Sequence, residues 1–276
     1  MEGKICMITG ANSGIGKATA IALARMNATL VIVCRNRERG EPALKEIIEK
    51  SGNSHIDLLL CDLSSLDSVR KLAATFKSKY QNLHVLINNA GVMLSKRTLS
   101  VDGFEMNFAV NFLAPFLLSN LLLDMLKKSA PSRIINVASA AHKYGTIDFD
   151  DLQGEHKKNR FMGLYGDSKL ALMLFSYELS KRLQGTGITL NTVHPGVVNT
   201  NLGVDRTHPK KGIVRRFFKK PEKGAETSIY LASSSEVEGI TGKYFTNKKE
   251  QKSSDDSYNE TLRKKLWDIA SKMVGL

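Results

Sequence analysis

Seven short apolar runs rich in β-branched residues, at 4–8, 29–33, 55–60, 83–87, 133–137, 188–193 and 243–245, alternate with longer segments of helical periodicity. Parallel strands need crossover connections of about a dozen residues or more, and this alternation supplies them. The expected architecture is α/β: one domain over 1–276, with a doubly wound, seven-stranded parallel sheet and helices on both faces. Helical patterns fall at 14–26, 41–50, 66–80, 103–127, 163–183 and 223–232. The segment 250–256 reads as a polar surface loop, and a last amphipathic helix at 258–273 carries the sole tryptophan, Trp267.

Composition narrows the class. Hydrophobic residues make up 42% and charged residues 24%, which excludes disordered and fibrous chains. Cys6, Cys34 and Cys61 fall singly in apolar runs, so buried reduced thiols are expected, with no disulfide framework and no metal site. An apolar strand begins at residue 4, leaving no room for a leader, and the longest apolar stretch, 108–125, is interrupted by Asn111, Pro115, Ser119, Asn120 and Asp124. That stretch reads as a buried helix, and the expected location is cytoplasmic.

Directly after the first run stands Thr9-Gly10-Ala11-Asn12-Ser13-Gly14-Ile15-Gly16, with a helix opening at its end. Glycines let a backbone turn tightly and approach a pyrophosphate, and a helix N-terminus offers free N–H groups and partial positive charge. A Rossmann nucleotide site is expected there, built by Gly10, Asn12, Ser13, Gly14, Ile15 and Gly16. At the end of the second strand, Cys34-Arg35-Asn36-Arg37 places a guanidinium where a 2′-phosphate would sit, and no carboxylate appears until Glu38. The expected cofactor is therefore NADP(H). Asp62 and Leu63 follow the third strand, placed to touch the adenine, and Asn89, Ala90 and Gly91 follow the fourth at the carboxyl edge of the sheet.

In Tyr165-Gly166-Asp167-Ser168-Lys169 a phenol and an ammonium stand four residues apart, on one helical face. A lysine beside a tyrosine favours the phenolate, which would make Tyr165 a proton donor and acceptor near neutrality.

These motifs, with Asn111, Ser139 and 194–200 in the same order, resemble the short-chain dehydrogenase/reductase family in its compact single-domain branch. The resemblance implies that Tyr165 protonates a carbonyl oxygen during reduction while the nicotinamide delivers hydride to its carbon. It gives Lys169 a bond to the nicotinamide ribose, Ser139 a bond to the substrate oxygen, and Asn111 a water that relays protons. Pro195, Gly196, Val198 and Thr200 would contact the nicotinamide. The family commonly dimerises through the helices carrying Asn111 and Tyr165; the Leu-, Met- and Phe-rich helix at 163–183 is compatible with a homodimer and equally with an internal core.

Cys34-Arg35, 86–93, 102–105, 130–133, 151–155 and 259–267 are more particular, and resemble the retinol dehydrogenase group. That implies a lipophilic aldehyde or ketone and its alcohol as substrates. Met93, Leu94, Tyr144, Met162, Val197, Leu202 and Phe217 are the pocket candidates, with Ser139 and Tyr165 at the reacting oxygen. His142, His194 and His208 are expected to be structural or exposed. The other class is a catalytically silent NADP-binding sensor or membrane-surface interaction protein, against which the intact Ser139, Tyr165, Lys169 and Asn111 argue.

The net charge of +13 is uneven, because Arg206, Lys210, Lys211, Arg215, Arg216, Lys219, Lys220 and Lys223 face only Asp205 and Glu222. This substrate-binding loop, at about 199–222, reads as a lid, or as a peripheral contact with an anionic membrane through the basic and apolar pairs of 213–220. No recognition motif for nucleic acid accompanies it.

Overall fold

The computed structural model describes residues 1–94, 96–157, 160–198 and 219–276, with the side chains of 160–162 left aside. In chain order, β1 (Ile5–Thr9), α1 (Gly14–Arg25), β2 (Thr29–Cys34), α2 (Arg37–Ser51), β3 (Ile56–Leu60), α3 (Leu66–Lys79) and β4 (Val85–Asn88) form the first half. A broken helical stretch follows: α4 (Met106–Phe108), a π turn (Ala109–Leu113), α5 (Ala114–Leu121) and α6 (Leu123–Lys128). Then come β5 (Ser132–Val137), a 3-10 turn (Ala140–Tyr144), α7 (Arg160–Arg182), β6 (Ile188–His194), α8 (Pro221–Ser233), β7 (Lys243–Thr246), β8 (Lys249–Gln251) and α9 (Glu260–Val274).

The strand order is β3-β2-β1-β4-β5-β6-β7-β8, a single-domain Rossmann sheet whose strands are parallel up to β7. The order reverses between β1 and β4, and the carboxyl ends of these two strands open the crevice where such folds bind ligands. Two hydrophobic layers hold the sheet: α3, α5 and α7 cover one face and α1, α2 and α8 the other.

Three expectations are corrected. The sheet has an eighth strand, because Lys249–Gln251 turns back antiparallel on β7 where a polar loop was expected. Asn247 and Lys248 adopt φ 51° and 62°, the left-handed pair of a tight hairpin turn. The helix expected at 103–127 is interrupted, since Pro115 has no N–H to give the Asn111 carbonyl and its ring would press on that carbonyl. The chain widens into the π turn, in which Ala114 N donates to Ala109 O. Helix α2 starts at Arg37 rather than 41, because the Asn36 side chain accepts from Arg39 N and caps it there.

Residues 170–175 of α7 are buried within the chain, so its apolar character is internal core. Part of that cover is α9, which buries Leu266, Ala270 and Val274. Trp267 packs edge-on to Phe116 at 4.9 Å between centroids and near Phe175 at 6.0 Å, with the Arg182 guanidinium 4.1 Å from its ring. Trp267→Ala should lower stability in urea unfolding by about 2 kcal/mol, less than a fully buried tryptophan because the ring is partly exposed. An unchanged midpoint would show that α9 is not part of the cooperative core.

Among the described residues no helix is long and apolar enough to cross a membrane.

Candidate active site

The turn after β1 is built by close packing. Gly10 has φ +68°, and a Cβ there would come within 2.9 Å of Ala90 Cα; a Cβ on Gly16 would meet Gly10 O at 2.5 Å and the Asn89 amide. Asn89 Nδ2 donates to Thr9 O at 2.8 Å and Gly10 O at 3.3 Å, and Thr9 Oγ1 accepts from the backbone N–H groups of Asn89 (3.0 Å) and Ala90 (3.1 Å). The ends of β1 and β4 are thereby clamped at the sheet's crevice. Asn88 points elsewhere, donating to Ser119 Oγ and Asn136 Oδ1 in a buried ladder.

Helix α1 opens at Gly14 (φ +56°), with no side-chain cap from Ser13 and no acidic residue in its first turn. Its free N–H groups and dipole suit a phosphate anion. Ala11 is buried, and Asn12, Ser13 and Ile15 are half-buried at the rim. A Cβ on Gly224 would meet Val198 at 2.6 Å and Ile15 at 3.2 Å, which brings Val198 and the start of α8 against this turn. Arg35 is exposed at the end of β2 and makes no ion pair among the described residues. Asp62 Oδ1 is tied down by Ser64, accepting from its N–H (3.0 Å) and its hydroxyl (2.7 Å), while Leu63 leans on the core and Gly91 stays half-buried.

Ser139, Tyr165, Lys169 and Asn111 converge beside this crevice. The π turn presents Asn111, whose side chain closes a two-bond clamp on Val92, accepting from its N–H at 2.8 Å and donating to its carbonyl at 2.9 Å. Asn111 Nδ2 also donates to Ser168 Oγ at 3.0 Å, and Ser168 Oγ donates to Tyr165 O at 2.7 Å. Asn111 is thus coupled to the backbone of the tyrosine. A π turn at such a place is a common functional device.

Ser139 is half-buried at the end of β5, and its hydroxyl lies near enough to the Tyr165 phenol to act on its pKa. Burial pushes the Tyr165 pKa up, and the Ser139 hydroxyl opposes that rise. This differs from the expectation that Lys169 lowers it. Lys169 Nζ donates to Val137 O at 2.9 Å and lies 5.8 Å from the phenol ring centroid, so the ammonium is aimed at the strand end. Burial brings Lys169 itself down to about 8. A phenol held protonated next to a serine hydroxyl is an acid able to protonate an oxygen placed between them.

His142 and His194 support this turn. Burial keeps both pKa values low, His194 at about 4, and His194 Nδ1 accepts from Ala140 N at 3.3 Å. Two glycines bring the Ser139 turn onto the tyrosine helix: a Cβ on Gly145 would stand 2.5 Å from the Gly166 carbonyl carbon and 2.9 Å from Asp167 N. Gly145, Ser168 and Thr9 are contributors that motif reading passed over. Ser168 and Thr9 sit inside quoted motifs, whereas nothing in the sequence marks Gly145. Lys219 is a fourth, with its N–H on Val197 O (3.0 Å) and its Nζ on Asn247 Oδ1 (2.8 Å), packed beside Gly196, whose φ is +85°.

Of the substrate candidates, Tyr144 is 73% exposed and Val197 62% exposed, flanking the turns after β5 and β6; Met93 and Leu94 are half-buried after the Asn111 clamp, and Pro195 is half-buried too. Thr200, Leu202, His208 and Phe217 lie outside the described residues, as do the Met162 side chain and 199–218 of the basic loop. Among the described residues no group of three or more His, Cys, Asp or Glu could hold a metal ion. Cys6, Cys34 and Cys61 are free and buried, and burial raises their thiols to about 12, 11 and 11.

The short chain dehydrogenase family matches residues 4–211, and the chain belongs to it. It is an oxidoreductase of that family, similar over its whole length to retinol dehydrogenases. Retinol dehydrogenase 14 of Homo sapiens is 45% identical over 295 residues, spanning 100% of this chain and 88% of that protein. Retinol dehydrogenase 13 of Homo sapiens is 44% identical over 284 residues, spanning 100% and 86%. Among solved structures, the Pseudomonas aeruginosa RhlG/NADP active-site complex superposes with a TM-score of 0.72 at 26% identity, covering 89% of this chain and 94% of that one.

Proposed function

We propose that this chain is an NADP(H)-dependent oxidoreductase interconverting a lipophilic aldehyde or ketone and its alcohol. The observation that carries the reading is the pairing of the Ser139 hydroxyl with a buried, protonated Tyr165 phenol, backed by Asn111 and Lys169 beside the glycine turn. The uncapped start of α1, free of acidic residues, fits a pyrophosphate held by Gly10, Asn12, Ser13, Gly14, Ile15 and Gly16. When bound, NADP(H) supplies the hydride for the carbonyl carbon, or accepts it in the reverse direction. Tyr165 gives its proton to the carbonyl oxygen and recovers it on oxidation. Ser139 donates to the same oxygen and fixes its position. Lys169, whose Nζ donates to the Val137 carbonyl, has a pKa of about 8 that allows it to pass a proton near neutrality. Asn111 holds Val92 and, through Ser168, the Tyr165 backbone.

Preference for NADP(H) rests on Arg35, whose exposed guanidinium is available for a 2′-phosphate. The relative in complex with NADP agrees with that choice. The lipophilic class rests on the exposed apolar surface of Tyr144 and Val197 on the turns after β5 and β6, and on the relatives' retinol dehydrogenase names. Steady-state rates with each cofactor test the assignment. Arg35→Ser should raise the KM for NADPH about 10- to 100-fold, as expected for a lost charge-assisted bond, and leave that for NADH nearly unchanged. A wild-type preference for NADH would refute it.

A further inference from the structure

His142 is fully buried in the 3-10 turn that follows Ser139. Its ring joins two segments distant in sequence. Nδ1 lies 2.6 Å from the Ser139 carbonyl oxygen, and Nε2 accepts from the backbone N–H of Ser254 at 3.1 Å. An amide N–H can only donate, so Nε2 must carry the lone pair and Nδ1 the proton. One neutral tautomer satisfies both ends, and the edge of the ring meets Tyr244 at 5.2 Å between centroids.

Ser254 belongs to a segment seated on the helix that carries Tyr165. Ser253 Oγ pairs with Tyr177 Oη at 2.8 Å and with Ser257 Oγ at 2.6 Å, and Ser253 N donates to Tyr258 Oη at 3.1 Å. The rings of Tyr177 and Tyr258 stack at 5.2 Å. Helix α7 therefore holds the segment ahead of α9, and that segment reaches back through His142 to the Ser139 carbonyl. The Ser139 hydroxyl is left to accept from Ala141 N at 3.2 Å and to meet Tyr165.

We propose that His142 is a positioning residue: it transmits the seat of the C-terminal segment to the Ser139 backbone and so aims the serine hydroxyl at the oxygen shared with Tyr165. The inference rests on the reading of Ser139 as the donor to the substrate oxygen. No atom of His142 has to touch substrate or cofactor, and its effect is confined to orientation.

Ser254→Pro isolates the link. Ser254 has φ −65°, which a proline ring adopts without strain, and its own hydroxyl is buried without a hydrogen-bond partner among the described residues. The substitution thus deletes the N–H given to His142 at a distance from the reacting groups. Turnover of an aldehyde with NADPH by the wild-type chain, lost in Tyr165→Phe, first checks the reading of the site; a wild-type chain without turnover would sink that reading and this inference with it. Given turnover, Ser254→Pro should lower kcat roughly tenfold, as one lost hydrogen bond implies, with NADPH affinity and carbonyl KM unchanged. His142→Leu should lower kcat at least as far, His142→Gln should restore part of it, and the Ser254→Pro/His142→Leu double variant should be no slower than His142→Leu alone. Wild-type kcat in Ser254→Pro, or losses that multiply in the double variant, would overturn the inference while leaving the reading of the site intact.

Discussion

Tyr165→Phe is expected to lower kcat by about 10³-fold or more while NADPH binds with nearly wild-type affinity. The ring is 5% exposed and wedged in the core, so phenylalanine keeps its packing and loses only the hydroxyl. On the proposed reading that hydroxyl is the acid, and with it goes the proton for the carbonyl oxygen. Binding by titration and turnover by NADPH absorbance separate the two effects. Retained turnover would remove Tyr165 from the mechanism.

Gly145→Ala should be the next most damaging change, lowering kcat about 100-fold, with a stability loss of about 1–3 kcal/mol. The added methyl would meet backbone on both counts, the Gly166 carbonyl and Asp167 N, and backbone has no rotamer into which to retreat. The Ser139 turn and the tyrosine helix must then separate, since Gly145 closes one and Gly166 follows Tyr165 in the other. Thr146 N donates to Asp167 Oδ1 at 2.8 Å, and Lys157 donates to the other Asp167 oxygen, so the strain falls on the bonds that hold this contact. The glycine turn at Gly10–Gly16 lies at the end of another strand and should still bind NADPH. Comparing kcat with cofactor affinity in Gly145→Ala checks this; a wild-type kcat would mean that the two turns need not touch.

The frame of the fold was legible in the sequence because strands buried on both faces are continuous β-branched runs, as in Leu30 to Val33. Strand β8 was not, because Lys-Glu-Gln is exposed on every residue and its turn, Asn247-Lys248, lacks the usual glycine. Pro115 and Asn111 were visible as interruptions, but the wider turn between them follows from where the Asn111 carbonyl must go once the proline N–H is missing. The glycine turn was readable from its strand–turn–helix setting. Its dependence on Asn89 was not, since that amide arrives from β4. The Tyr–Lys spacing pointed to a helix face correctly but to the wrong electrostatic balance. Spacing says nothing of burial, and burial decides both pKa directions here. The link from His142 to Ser254 joins residues 112 apart and has no local signature.

Hydride transfer to lipophilic carbonyls is the activity expected of this chain. The most direct test follows NADPH absorbance across a panel of aldehydes of increasing apolar size, retinal among them, with the alcohol product quantified in parallel. NADPH should be consumed one for one with alcohol formed, faster with larger apolar aldehydes than with short polar ones, and far faster than NADH under the same conditions. NADPH that binds but is not consumed with any carbonyl would contradict the account and leave a nucleotide-binding protein without turnover.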